Sequence, residues 1–158
     1  MALDTSEFRR ILGHWSTGVA VVATLDAAGE PRGLTANAVA SVSLGPPLVL
    51  ACIERIADTH DVLEQARFFA ISILSADDEA IARRFAGDGT RKFEHLSWHA
   101  GPTGAPILDD ALAWVDCHTH EVCDGGDHTI FIGTVVAGDA REGQPLLYYR
   151  GGYAGLVP

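Results

Sequence analysis

Gly33-Leu34-Thr35-Ala36-Asn37-Ala38-Val39-Ala40-Ser41-Val42-Ser43-Leu44 is the stretch on which the fold of this chain turns. It has the length of a long strand and is built of small residues. Strand side chains alternate between faces, so Thr35, Asn37, Ser41 and Ser43 fall on one side. Leu34, Ala36, Ala38, Ala40 and Val42 fall on the other. A small polar face leaves room for something flat that hydrogen-bonds. An ordinary strand with one solvated face would read the same way at this point.

The flanking segments read as strands too. Val19 to Leu25 is a β-branched run, and Asp26-Ala27-Ala28-Gly29-Glu30-Pro31 is a turn cluster, so the run and the quoted stretch are expected to form a hairpin. Pro46-Pro47 breaks the chain before an apolar strand, Leu48 to Ile53. Upstream, Asp4 to Trp15 has a capping residue and an apolar stripe of Phe8, Ile11, Leu12 and Trp15, which predicts a helix ended by Gly18. Downstream, Thr59 or Asp58 is placed to cap a short helix to Ala66, and Phe68 to Leu74 reads as a buried strand. Asp77 to Phe85 reads as a helix, and Gly87 to Ala105 as a long irregular segment. Leu112 to Cys123 and His128 to Gly138 are strands around Asp124-Gly125-Gly126-Asp127, and Leu146 to Arg150 is a last strand. Six or more strands, mostly in hairpins and without regular βαβ alternation, predict an antiparallel barrel with accessory helices.

The 158 residues suit one domain, 1–158, which buries roughly 68–70% of its unfolded surface. A net charge of −10 argues against nucleic acid, whose phosphates call for clustered Lys and Arg. Three cysteines, Cys52, Cys117 and Cys123, fit a reducing compartment better than a disulfide framework. The charged first ten residues do not read as a signal peptide, and no apolar run approaches the ~20 residues of a membrane span. The cytoplasm is the expected location.

Several engines are missing from the sequence. No Gly-x-Ser-x-Gly elbow, no Gly-x-x-x-x-Gly-Lys-Ser/Thr phosphate loop and no Gly-x-Gly-x-x-Gly between strand and helix is present. Cys117-His118-Thr119-His120-Glu121-Val122-Cys123 resembles a metal cluster, but strand alternation sends His118 and His120 one way and Cys117, Glu121 and Cys123 the other. Strand histidines without a metal are the expectation, and a site of His118 and His120 completed by ligands from elsewhere is the alternative. His128 follows a glycine-rich turn at the mouth of a hairpin, a place from which histidines touch ligands or solvent. Tyr148, Tyr149 and Arg150 precede Gly151-Gly152, with one tyrosine expected in the core and the other in solvent. Arg91-Lys92 is a weak phosphate signal.

Taken together, five strings resemble the flavin reductase family with the FMN-binding split-barrel fold. They are Thr17 to Val22; Gly33 to Asn37 with Ser41-Val42-Ser43 and Pro46 to Leu50; Ala82 to Ala86; Gly126 to Gly133; and Pro145 to Gly151. They occur in order and span roughly residues 6 to 153. The resemblance implies a mainly β, Greek-key antiparallel split barrel that works as a homodimer and binds FMN or FAD. Such proteins use NADH or NADPH to reduce flavin and hand it to a separate flavin-dependent monooxygenase. Related pyridoxamine-phosphate-oxidase-like or deazaflavin-dependent proteins, and a flavin carrier without a reductant place, are the alternatives.

On this resemblance Thr35, Ala36, Asn37 and Ser41 would meet the polar edge of the flavin ring. Ala51, Cys52 and Ile53 would line the ring, with Cys52 a small wall rather than a nucleophile. Thr59 would sit near the phosphate, with Arg91, Lys92 and Phe93 approaching. His128 would place the nicotinamide, and Tyr149 and Tyr153 would supply an aromatic floor. Relatives commonly have a serine-rich turn where this chain has Ile56-Ala57-Asp58-Thr59, so loose flavin binding or FAD use is expected. An aspartate near a phosphate dianion weakens binding unless it points away.

Overall fold

In the computed structural model, which describes residues 2–157, Asp4 starts the first helix by accepting the Glu7 N–H at 2.9 Å. That helix, α1 (Thr5–Leu12), stops earlier than its apolar stripe predicts. Gly13 caps it through an N–H bond to the Arg9 carbonyl at 2.9 Å, and Trp15 lies in a turn beyond it. Gly18 does not end the helix; it belongs to β1 (Thr17–Gly18).

The first long run becomes β2 (Ala20–Leu25), whose Ala20 to Ala23 are buried on both faces. It forms the expected hairpin with β3 (Pro31–Ala36), from Leu25 opposite Pro31 to Ala20 opposite Ala36. Asp26 shapes the turn by accepting the N–H groups of Ala28 and Glu30.

The quoted stretch is not one strand. It breaks at Asn37-Ala38, and β4 (Val39–Leu44) pairs instead with β5 (Pro47–Glu54). Between Ser41 and Ser43 a bulge adds Val42 and interrupts the alternation, so the single polar face predicted for Thr35, Asn37, Ser41 and Ser43 does not exist.

After β5 the chain forms α2 (His60–Ala66), β6 (Phe68–Ile73) and α3 (Glu79–Ala86). Thr59 stands at the N-cap position of α2 but makes no side-chain capping bond. The Thr59 hydroxyl instead donates to the Gly33 carbonyl at 3.2 Å, and Asp58 accepts the Gly89 N–H at 3.1 Å. The segment read as irregular contains a short hairpin, β7 (Trp98–Ala100) with β8 (Pro106–Leu108). Buried Asp116 secures the intervening loop by accepting the Thr103 N–H at 2.8 Å and its hydroxyl at 2.5 Å. Asp116 lies on β9 (Ala113–Gly125), which pairs with β10 (His128–Ala140) in a hairpin longer than the sequence suggested. Finally β11 (Leu147–Tyr149) pairs with both β1 and β12 (Gly152–Ala154).

The main sheet is antiparallel, in the order β3-β2-β6-β9-β10-β5-β4. Its two edge strands, β3 and β4, are consecutive in the chain and only Asn37-Ala38 joins them. The sheet therefore has to curl until its edges meet at that junction. The Cys52 N–H, donated to the Ala38 carbonyl at 2.9 Å, ties the junction to β5. One buried cluster collects side chains from six strands: Val22, Ala36, Ile53, Ile71, Cys117 and Phe131 among them. Strands spread across an open sheet would not share one cluster, so this is the interior of a split barrel. Full burial of Phe69 and Phe131 inside it contributes about 1.5–3 kcal/mol each. A second cluster, with Val21, Phe85, Phe93 and Leu146, fixes α3 against the outside of β2 and β3.

Among the described residues no helix is long and apolar enough to cross a membrane.

Candidate functional site

A cleft of about 330 Å³ opens where the barrel edges meet. Its walls come from the end of β3 and the junction (Leu34 to Ala38), from β5 and the turn after it (Cys52, Glu54, Ile56 to Asp58), and from the end of α3 with its exit loop (Phe85 to Asp88). Lys92 and His128 complete it. The lining includes five small residues, Ala36, Ala38, Ala57, Ala86 and Gly87, which leave a slot between the larger groups. A second cavity, about 180 Å³, shares Thr35, Asn37 and Ala86 with the cleft and is otherwise lined by Val19, Tyr148 and Tyr153.

Thr35, Ala36, Asn37, Cys52, Lys92 and His128 are all brought to the cleft. Thr35 is half committed, since its hydroxyl donates to the Ala82 carbonyl at 2.6 Å and keeps only lone pairs for a ligand. Asn37 is exposed at the barrel junction. Strand alternation explains why only Cys52 of its trio faces the slot: Ala51 and Ile53 are fully buried in the barrel interior, so their side chains cannot line a ring there. Burial pushes the Cys52 thiol up, which keeps it protonated at neutral pH. Cys117, deeper in the barrel beside Asp116, is pushed up to about 12, first by burial and then by that carboxylate. All three cysteines are free thiols.

Other expected residues lie elsewhere. Ser41, on the outer strand β4, lines neither cavity. Phe93 packs edge-on against Phe85, with ring centroids 4.9 Å apart, and belongs to the core. Arg91 points into solvent and sits 3.6 Å from Glu94. Thr59 is buried beneath the cleft wall, where its hydroxyl is spent on Gly33. Tyr149 is exposed against His14, whereas Tyr153 lines the second cavity. Tyr148 was the half-buried one of the tyrosine pair, and strand alternation would have picked it out: it stands edge-on to Tyr153 at 5.6 Å. The Arg83 guanidinium lies 4.9 Å over the Tyr153 ring, a cation–π contact at the rim of that cavity.

His128 owes its position to the β9–β10 turn. Gly126 takes φ +77°, a left-handed conformation that glycine adopts without strain, so the turn closes in two residues. Arg55 grips the turn through its Nε–H to the Gly126 carbonyl at 3.0 Å and its guanidinium to Asp124 at 2.5 Å. His128 Nδ1 lies 2.6 Å from Asp127 Oδ1. That hydrogen bond, then the histidine's charge, holds the Asp127 carboxyl below the usual range. The ring is oriented by its Nδ1 side and is left with Nε2 for a ligand.

The possible metal donors that gather among the described residues are His60, Asp61 and Glu64. Both nitrogens of His60 are already engaged, one with Thr129 Oγ1 at 2.7 Å and the other with Asp61 at 2.8 Å. His118 and His120 are not part of such a group among the described residues, and a register shift in the hairpin leaves His120 unpaired in the ladder.

The sequence matches the family model of the flavin reductase-like domain over residues 12–156. The chain belongs to the flavin reductase-like family of oxidoreductases. It is 37% identical to the reductase subunit of a flavin-dependent monooxygenase from Rhodococcus jostii, across 99% of this chain and 80% of that protein. It is 40% identical to an NADH-dependent FAD reductase from Streptomyces globisporus, across 98% and 87%. The solved structure of an NADH:FAD oxidoreductase from that organism, in complex with NAD and FAD fragments, superposes with a TM-score of 0.92 at 39% identity and covers 98% of this chain and 94% of its own.

Proposed function

We propose that the cleft takes the ring of FMN or FAD, that the adjoining tyrosine-lined cavity takes part of NADH or NADPH, and that the reduced flavin leaves for a separate flavin-dependent monooxygenase. One observation carries this reading. The small-residue slot and the Tyr148–Tyr153 cavity share Thr35, Asn37 and Ala86, so two flat rings have places side by side.

The residues present fit a flat ring with a polar edge. Ala36, Ala38 and Ala86 would flank it, Cys52 would form its wall, and Asn37 with the backbone of the barrel junction would bond its edge. When bound, the flavin supplies the electrophilic nitrogen that accepts hydride. No side chain has to give or take a proton at that moment. The protein's task is to hold donor and acceptor about 3–3.5 Å apart and to exclude water. His128, on the wall of the flavin cleft, would offer Nε2 to a nicotinamide that reaches over the flavin, from a ring that Asp127 orients. Tyr153, beneath Arg83, gives the second cavity an aromatic wall.

The active form is a homodimer, and the whole chain, 1–158, acts as one domain. What supports the dimer is α1, none of whose residues is buried. Its Phe8, Ile11 and Leu12 and the following Trp15, the last 77% accessible, form an apolar face with nothing covering it in one protomer. What supports the single domain is a main sheet that gathers strands from Ala20 to Ala140. The free thiols of Cys52, Cys117 and Cys123 support a cytoplasmic location.

The test is oxidation of NADH and of NADPH by the purified protein with FMN and with FAD. Flavin-dependent oxidation of either nicotinamide is the expected result, and none with any of the four pairs would overturn the proposal.

A further inference from the structure

We infer that Asp58 is a specificity residue that sets this cleft against a terminal phosphate monoester and so keeps the flavin exchangeable. This rests on the cleft being the flavin site. Among the described residues Lys92 is the one Lys or Arg on the cleft wall, and Arg84, Arg91 and Lys92 line a groove that continues from it past Asp88. The tyrosine-lined cavity adjoins the cleft elsewhere, at Thr35, Asn37 and Ala86. An anionic tail on a ring in the slot is therefore drawn toward Lys92.

Those cations are already committed. Lys92 is buried, and its Nζ donates to the carbonyls of Gly33 at 3.3 Å and Phe85 at 3.2 Å, with Asp58 Oδ1 at 3.8 Å. Arg84 donates to the carbonyls of Arg91 and Glu94, and Arg91 faces Glu94. Asp58 cannot swing aside freely, because its other oxygen holds the Gly89 N–H. The ionisable groups on the cleft wall are then the carboxylates of Glu54, Asp58 and Asp88 against the ammonium of Lys92 and the imidazole of His128. A dianionic phosphate monoester brought to Lys92 meets the Asp58 carboxylate, 3.8 Å from that ammonium, at close range. A diphosphate diester, with its two charges spread one to each phosphate, meets less, and an uncharged ribityl tail meets none.

Replacing Asp58→Asn separates charge from structure, because the amide oxygen still accepts from Gly89. Dissociation constants of FMN, FAD and riboflavin, read from quenching of flavin fluorescence, are compared between the native protein and this variant. FMN is expected to bind about tenfold tighter to the variant, the size of effect for one charge several ångström from another near a protein surface. FAD should gain less and riboflavin should stay within twofold. Equal shifts for FMN and riboflavin, or no shift for FMN, would overturn the inference. Asp58→Ala removes charge and the Gly89 bond together, so it should also favour FMN over riboflavin; a loss for all three flavins alike in both variants would show a structural role instead. Because binding is read without turnover, a native protein that binds flavin but oxidises no nicotinamide sinks the functional proposal and leaves this one standing.

Discussion

His128 is held from both sides before any ligand arrives. Asp127 fixes its Nδ1, and Arg55 fixes the turn that carries both. Replacing His128→Ala should therefore remove a positioning contact from the wall of the cleft and leave its other lining groups in place. We expect kcat/KM for the nicotinamide to fall about 10- to 100-fold while flavin affinity changes less than threefold. Equal losses in flavin binding and in turnover would show that His128 serves the flavin rather than the reductant. His128 was legible in the sequence because a glycine-rich turn announces the end of a hairpin. Lys92 and Asp58 were legible only as neighbours of a site. That Lys92 would be buried with its ammonium bonded to two carbonyls depends on contacts between β3, α3 and the loop after it, which no local pattern encodes.

The strands show where reading by period works and where it stops. Ala20 to Ala23 are buried on both faces, as a continuous apolar run requires, and the hairpin from β2 to β3 follows from the turn residues alone. The Gly33–Leu44 stretch failed as one strand because small residues carry little pattern, and a break between two edge strands looks locally like more strand. The longer β9–β10 hairpin hid its bulges for the same reason. Gly133 marks one of them: a Cβ there would come within 2.7 Å of both Cys117 Cβ and Phe69 Cζ, two groups of the barrel interior. Gly133→Ala should accordingly destabilise the protein by about 1–3 kcal/mol, seen as a lower midpoint in urea unfolding with little change of slope. An unchanged midpoint would mean that the interior is looser there than the contacts indicate.

At the scale of the molecule, the barrel closes through the two-residue junction Asn37-Ala38, and the same junction is the rim of the cleft. Closing the fold and building the site are thus one event, which is why so small a chain carries a site of this size. The class of fold was readable from the hairpins, and the family from five ordered strings. Assembly was not readable beyond the resemblance, since an amphipathic helix looks alike whether it covers its own core or a second copy. Trp15→Glu tests the dimer by placing a charge on the uncovered face of the α1 region. Light scattering should show twice the chain mass for the native protein and a shift toward single mass for the variant. A native protein of single mass at all concentrations would contradict the dimer.

The central claim is that the slot and the tyrosine cavity hold a flavin and a nicotinamide ring together for direct hydride transfer. Anaerobic mixing of the protein with flavin and NADH or NADPH tests it most directly, with the flavin's visible absorbance followed in a stopped-flow instrument. The account predicts that the flavin is bleached in step with nicotinamide oxidation, one for one, and that the rate saturates with the nicotinamide. Flavin that binds but keeps its colour with both nicotinamides would contradict it and would leave a carrier in place of a reductase.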